Sequence, residues 1–275
     1  MSAPTLPTLF IPHGAGPCFF MDWDPADTWH RMADWLRAVP RHVGPRPQAV
    51  VVVSAHWEAP AFTVNGQADP PLLYDYGGFP PHTYELTYPV AGAPAVAARV
   101  RALLEAAGLE TAEESRRGLD HGVFIPFRLI HPDADVPIVQ LSLRRGLDPA
   151  EHLAAGRALA PLRREGVLIV GSGMSYHNMR RFRFDSAGLD PDSVRFDDWL
   201  TAAVTGPATA RETALAHWDD APSARAAHPR EEHLLPLHVA AGAAGDDPGR
   251  RVFTDEVLAS RQSAYLFGTD ALAAE

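Results

Sequence analysis

Apolar positions along this chain fall into two kinds of run. Short runs rich in Val, Leu, Ile and Phe read as strands buried on both faces. They stand at 7–12, 50–53, 137–143 and 167–170. Longer segments repeat apolar residues every three or four positions and read as helices. Val96, Val100, Leu103 and Leu104 share one face of a helix predicted over 94–107, with Pro94 in its first turn and Gly108 at its end. Trp29, Met32, Trp35 and Leu36 predict a helix over 25–36. Asp148-Pro149-Ala150-Glu151 combines a cap, a first-turn proline and an acid three residues on. It opens a helix running to about residue 165, with a bend at Pro161.

Weaker patterns fill the rest. Helical pieces are predicted over 194–218, and a small-residue helix over 231–244 with His233 in its first turn. Residues 61–65 read as a short edge or hairpin strand, 251–253 as a last extended piece, and the apolar segment after Gly122 as a helix turn. Gly171-Ser172-Gly173 lacks the lysine and glycine spacing of a phosphate loop and reads as a tight turn. Residues 66–92, rich in Pro, Gly, Tyr and Asp, form a long loop of the kind that lines a site. Strands alternate with helices, without internal repeat or composition break. The expectation is a single α/β domain over 1–275, with a mostly parallel or mixed central sheet flanked by helices. Its site is expected at the carboxyl ends of the strands.

Composition narrows the function classes. A chain of 275 residues, 46% hydrophobic and 21% charged, is globular rather than disordered. The net charge of −10 leaves no basic surplus to neutralise phosphates, so nucleic acid is not an expected partner. The single cysteine, Cys18, excludes an intrachain disulfide and fits a reducing compartment. Flanked by Pro17 and Phe19, it reads as a small buried hydrophobe. No leader and no apolar run of membrane length stand out, so a cytoplasmic protein is expected, without a membrane partner.

Candidate chemistry lies where apolar runs end. Leu9-Phe10-Ile11-Pro12 delivers His13, Val50–Val53 delivers His56 after Ser54-Ala55, and 167–170 leads to His177. Parallel strands bring three such residues to one sheet edge. Neutral imidazole is the commonest side-chain metal ligand, and a catalytic metal takes about three protein ligands. His233, where the chain enters a helix, is a fourth candidate. No short motif such as HExxH links them. His121, in Leu119-Asp120-His121-Gly122, is a candidate acid, base or substrate hydrogen-bond donor. Glu58, after His56-Trp57, reads as a solvated loop carboxylate or as a residue that orients a ligand, and Tyr74, Tyr76, Phe79 and His82 as lining for an aromatic pocket or as loop packing.

Pro12-His13-Gly14, Ser54-Ala55-His56-Trp57, Leu119-Asp120-His121-Gly122, His177-Asn178 and Glu232-His233-Leu234-Leu235-Pro236 follow one another in the order of a known family. With Asp75-Tyr76-Gly77-Gly78-Phe79-Pro80 and residues 132–142, they make the chain resemble the class III extradiol ring-cleavage dioxygenases, the LigB-like superfamily. The branch is the single-chain one that includes DOPA 4,5-dioxygenase. The resemblance implies a divalent metal on His13, His56 and His233, Fe(II) in the working enzyme and Zn(II) possible as isolated. It implies His177 as base or fourth ligand, and His121 facing the substrate. It implies a catechol and O2 as reactants; a homo-oligomer is a separate expectation, which the resemblance does not carry. One departure stands at the first ligand, where branch members carry His-Gly-Ser-Pro and this chain has His13-Gly14-Ala15-Gly16-Pro17. A zinc hydrolase using the same histidines, or a non-enzymatic Memo-like interaction protein, are the rival readings.

Overall fold

The computed structural model describes residues 5–183 and 188–271. Residues 1–4, part of the stretch read for a leader, lie outside them. Eight strands form one mixed sheet: β1 (Thr8–Pro12), β2 (Ala49–Ala59), β3 (Phe62–Asn65), β4 (Thr111–Glu114), β5 (Ile138–Arg144), β6 (Val167–Gly173), β7 (Gly249–Val257) and β8 (Ser260–Phe267). Among the described residues, eight α-helices accompany it: α1 (His30–Val43), α2 (Pro94–Ala106), α3 (His121–Ile130), α4 (Pro149–Leu159), α5 (Pro191–Thr205), α6 (Ala208–Ala216), α7 (Ala224–Ala227) and α8 (Leu235–Ala244). Strand order is β4-β3-β5-β2-β6-β1-β8-β7. The central four, β5, β2, β6 and β1, are mutually parallel. The α/β expectation therefore stands.

The four consecutive valines explain the layering. Val50 and Val52 pack into one core with residues of α1 and α3, while Val51 and Val53 pack into another with residues of α2, α4 and α8. Alternate side chains of a strand point to opposite faces, so an all-apolar strand needs helices on both sides. At the α4 start, the Asp148 carboxylate accepts from Glu151 N at 2.9 Å, as its spacing predicted. The helix gives way to a 3-10 turn at Ala160, beside Pro161.

Several boundaries differ from the sequence reading. The helix predicted over 25–36 is α1, which starts at His30 and runs on to Val43. Residues 25–29 instead make turns, with Thr28 N bonded to Pro25 O and His30 N to Asp27 O. Met32, Leu36, Val39 and Val43 keep one buried face going past Leu36, and Pro40 is tolerated near the end. β3 is neither an edge strand nor the hairpin partner of β2. It lies between β4 and β5, because β5 inserts beside β2. Gly171 and Gly173 belong to β6, not to a tight turn. A Cβ on Gly171 would stand 2.2 Å from Pro236 O, and one on Gly173 2.1 Å from His233 O. These glycines let the entrance of α8 press against the strand. α8 begins at Leu235, so His233 sits in the turn before it. The apolar segment after Gly122 is ten residues of helix, α3. The extended piece at 251–253 is part of the β7–β8 hairpin.

Buried histidines without a role in the cluster described below carry a pH signature. Burial pushes His152 and His238 down to about 4 and His228 to about 3. Each is neutral when folded and protonates near 6.5 when unfolded, so the unfolded state binds more protons between those values. Stability is expected to fall as pH drops from 6.5 toward 4, by up to about 1.4 kcal/mol per pH unit for each group. Urea-unfolding midpoints of metal-free protein at pH 7 and pH 5 measure it; equal midpoints contradict it.

Candidate metal centre

The parallel core of the sheet explains why distant histidines meet. β2, β6 and β1 are neighbours running the same way, so their carboxyl ends share an edge. His13 follows the last residue of β1, and its N–H bonds Gly173 O of β6 at 3.1 Å. His56 lies on β2 where the register against β5 shifts, between Val53 and Glu58. Met174 N, just past β6, bonds His233 O at 3.1 Å and pins the turn before α8 to the same edge. His177 stands four residues beyond β6.

Three imidazole nitrogens converge. His56 Nε2 is 3.2 Å from His13 Nε2 and 3.3 Å from His233 Nε2. Two nitrogens bound to one ion at 2.0–2.1 Å lie about 2.9 Å apart at right angles and about 3.3 Å apart at the tetrahedral angle. Two of the opposite ring nitrogens, those of His13 and His233, are committed as donors. His13 Nδ1 donates to Gly14 O at 3.0 Å, and His233 Nδ1 to Glu232 Oε1 at 2.9 Å. Each Nε2 therefore carries a lone pair, and lone pairs aimed at one another suit a cation between them. Burial first, then the neighbouring imidazoles, hold His13 well below its usual range. His233 and His56 are depressed too, in each case chiefly by burial. Neutral nitrogen donors without a thiolate fit a divalent first-row ion.

Two more histidines border this cluster. The His177 ring stacks on His233 with centroids 3.4 Å apart and planes within 14°. Its Nδ1 is 3.6 Å from Glu232 Oε1. Burial pushes its pKa down to about 4. His121, the first residue of α3, has its ring 3.9 Å from that of His56. It also offers a nitrogen within 4.8 Å of those of His13 and His56. Among the described residues, His177, Glu232 and His233 make a second such group, and the 3.2 and 3.3 Å contacts of His56 join His13 of the first to His233 of the second. His121 Nδ1 and backbone N both donate to Asp75 Oδ1, at 2.8 and 3.0 Å. Burial works to raise the Asp75 pKa, but these bonds outweigh it and hold the carboxylate below its ordinary value.

The surrounding residues hold this arrangement in place. Ser54 Oγ donates to Asp120 Oδ1 at 2.7 Å and accepts from His56 N at 3.2 Å. Arg117 donates to His56 O and to Asp120 Oδ2. Asp120 thus supports β2, and the acid that orients His121 is Asp75. A Cβ on Gly122 would come within 2.6 Å of Ser54 Oγ and 3.1 Å of His56 Cδ2, so glycine lets α3 approach the site. Glu58 is not a solvated carboxylate: Arg230 grips both its oxygens, at 2.5 and 2.6 Å, and ties β2 to the segment carrying His233. Cys18 is buried, and burial raises its thiol pKa. Of the aromatic loop, Tyr76 and Phe79 line the cavity over the histidines, while His82 bonds Phe20 O outside it. That cavity holds about 260 Å³, and all five histidines reach it.

Residues missed by sequence reasoning come from far away. Asp75 carried no local sign of pairing with His121, 46 positions on. Glu232 was readable only as the neighbour of His233. Gln262, Val257 and Leu258 reach the cavity from the unforeseen β7–β8 hairpin.

The catalytic LigB subunit of aromatic ring-opening dioxygenase, as a family model, matches residues 7–271. The chain belongs to this family. Curated relatives agree. A "Dioxygenase tasH" of Hapsidospora irregularis is 38% identical over 277 residues, covering 95% of this chain and 85% of that protein. "4,5-DOPA dioxygenase extradiol" of Beta vulgaris is 38% identical and covers 87% of both chains. Its Escherichia coli K12 namesake is 35% identical, covering 88% of this chain and 87% of that one. A solved structure of an uncharacterized Escherichia coli K12 protein superposes with a TM-score of 0.77 at 31% identity, over 96% of this chain and 100% of that one. The LigB-family protein is a ring-opening oxidoreductase of the extradiol dioxygenase family. That sets aside the non-enzymatic interaction-protein reading. Its family is nonhaem and metal-dependent, with aromatic substrates and O2. No helix among the described residues is long and apolar enough to cross a membrane.

Proposed function

We propose that this protein opens a catechol ring next to the diol, using Fe(II) held by His13, His56 and His233. The approach of His56 Nε2 to the Nε2 atoms of His13 and His233, at 3.2 and 3.3 Å, carries the reading. Bound there, ferrous iron would supply the electron density that lets dioxygen react with the aromatic ring. The protein's part is to bind the diol, keep the site dry and move protons.

His177 is the base. Depressed to about 4 by burial, it is unprotonated at neutral pH and ready to take a hydroxyl proton. Once protonated, it has the Glu232 carboxyl 3.6 Å from Nδ1 as a partner. The base role is favoured over a ligand role by the stacking. The His177 ring lies nearly parallel to that of His233, with centroids 3.4 Å apart, so its lone pair would not be aimed at the point that His13, His56 and His233 share. His121, fixed by Asp75 through Nδ1, presents its other nitrogen for a hydrogen bond to substrate oxygen. Tyr76 and Phe79 flank the ring-sized space.

Reconstitution with Fe(II) under nitrogen, followed by air and a catechol panel, tests the function. The expected result is one O2 consumed per catechol and a yellow semialdehyde containing both oxygen atoms, dependent on Fe(II). Ester or amide hydrolysis by the zinc-loaded protein, without oxygen uptake by the iron-loaded one, would assign the histidines to a hydrolase.

A further inference from the structure

The walls of the cavity around the histidines are largely apolar. Trp29, Tyr76, Phe79, Met174, Met179 and Phe182 supply side chains, and Val257 and Leu258 add to them from the hairpin. Met179 stands 67% exposed, an unusual setting for a large apolar side chain. Apart from the histidines, the polar side chains of the lining are few, chiefly Asp75, Tyr76 and Gln262.

No arginine lines this cavity among the described residues. The chain has no lysine, and none of residues 1–4, 184–187 or 272–275 is arginine. A substrate carboxylate would find no cationic side chain in the lining and one anion, Asp75. Burying an ionised carboxylate without a partner is strongly disfavoured. The adjoining cleft shares Val257 and Leu258 and does not reverse the sign. Asp24, Asp27, Asp255 and Glu256 outnumber Arg31 and Arg183 there, and Arg31 already pairs with Asp255 at 3.2 Å. The two diol oxygens would meet the charge of an ion on the histidines.

We infer that the substrate is an uncharged catechol bearing an apolar substituent, and that catechols bearing a carboxylate are disfavoured. The inference rests on the ring-cleavage reading above. It goes beyond the DOPA named for several relatives, since DOPA carries a carboxylate.

The test compares iron-loaded protein on 4-methylcatechol and 4-tert-butylcatechol with 3,4-dihydroxybenzoate, 3,4-dihydroxyphenylacetate and dopamine. Oxygen uptake gives kcat/KM, and calorimetry under nitrogen with zinc-loaded protein gives affinity without turnover. Expected is an advantage of at least about tenfold for the apolar pair by both measures, the size of one good methylene contact. Met179→Arg adds a cation at the cavity and is expected to raise the acid-to-apolar ratio of kcat/KM about tenfold, the change one screened charge contact gives. An acid or dopamine as the best substrate overturns the inference and leaves ring cleavage standing. Cleavage of none of the five overturns ring cleavage. The affinities under nitrogen then decide: tighter binding of an acid or of dopamine overturns the inference, and tighter binding of the apolar pair supports it.

Discussion

His56→Ala is expected to lose the metal proposed for this site. His56 contributes the nitrogen shared by both short contacts, 3.2 Å to His13 and 3.3 Å to His233. Removing it leaves two donors on opposite sides of a gap that a methyl group does not fill. Loss of a supporting outer partner costs about 10–100-fold in metal affinity, and loss of a ligand exceeds that. Iron titration under nitrogen is expected to show affinity reduced by more than about 100-fold on that scale, with no measurable oxygen uptake. Far-ultraviolet circular dichroism should match the parent, because His56 lies beyond the buried Val50–Val53 core of β2. Parental iron stoichiometry and affinity in this variant would sink the ligand assignment.

The second large effect separates a base from a ligand. His177→Ala is expected to keep the metal and lose about 10²–10⁴ in kcat, the range for removing a positioned general base. The physical ground is the stack of His177 on His233, which takes its lone pair out of the convergence point, together with the depressed pKa that keeps it neutral. Iron content and catechol affinity, measured beside kcat, decide between the roles. Loss of iron along with activity makes His177 a ligand; unchanged ring cleavage removes it from the reaction.

The strands and the helices with strong caps were legible because their signals are local. Four valines in a row demand cover on both faces wherever they occur. Asp148-Pro149-Ala150-Glu151 caps a helix through contacts three residues apart. The hairpin β7–β8 was not legible beyond a fragment, since its inward positions include Gln262 and Ser263. Both are buried, and both bond the segment after β6: Gln262 donates to Tyr176 O, and Ser263 N to Ser175 Oγ. Polar residues satisfied by distant partners break the alternation that marks a strand. β3 was misplaced for a related reason: nothing local announces that β5 inserts beside β2. Gly171 and Gly173 were misread because their purpose is to admit α8, a neighbour more than 60 residues away.

The sequence by itself determined the layered α/β fold, the family motifs and the delivery of His13 and His177 past strand ends. Those follow from periodicity and from which residues can leave water. His56 instead lies within β2, which runs on to Ala59. Only the tertiary structure decided that His233 closes the nitrogen cluster from a turn ahead of α8. It also decided that Asp75 orients His121, that Glu232 serves His233, and that no arginine among the described residues lines the cavity. Each of these depends on contacts between segments far apart in the chain. Such contacts are settled by strand order and by the close approach of backbones at glycines, neither of which the local pattern of apolar and polar residues encodes.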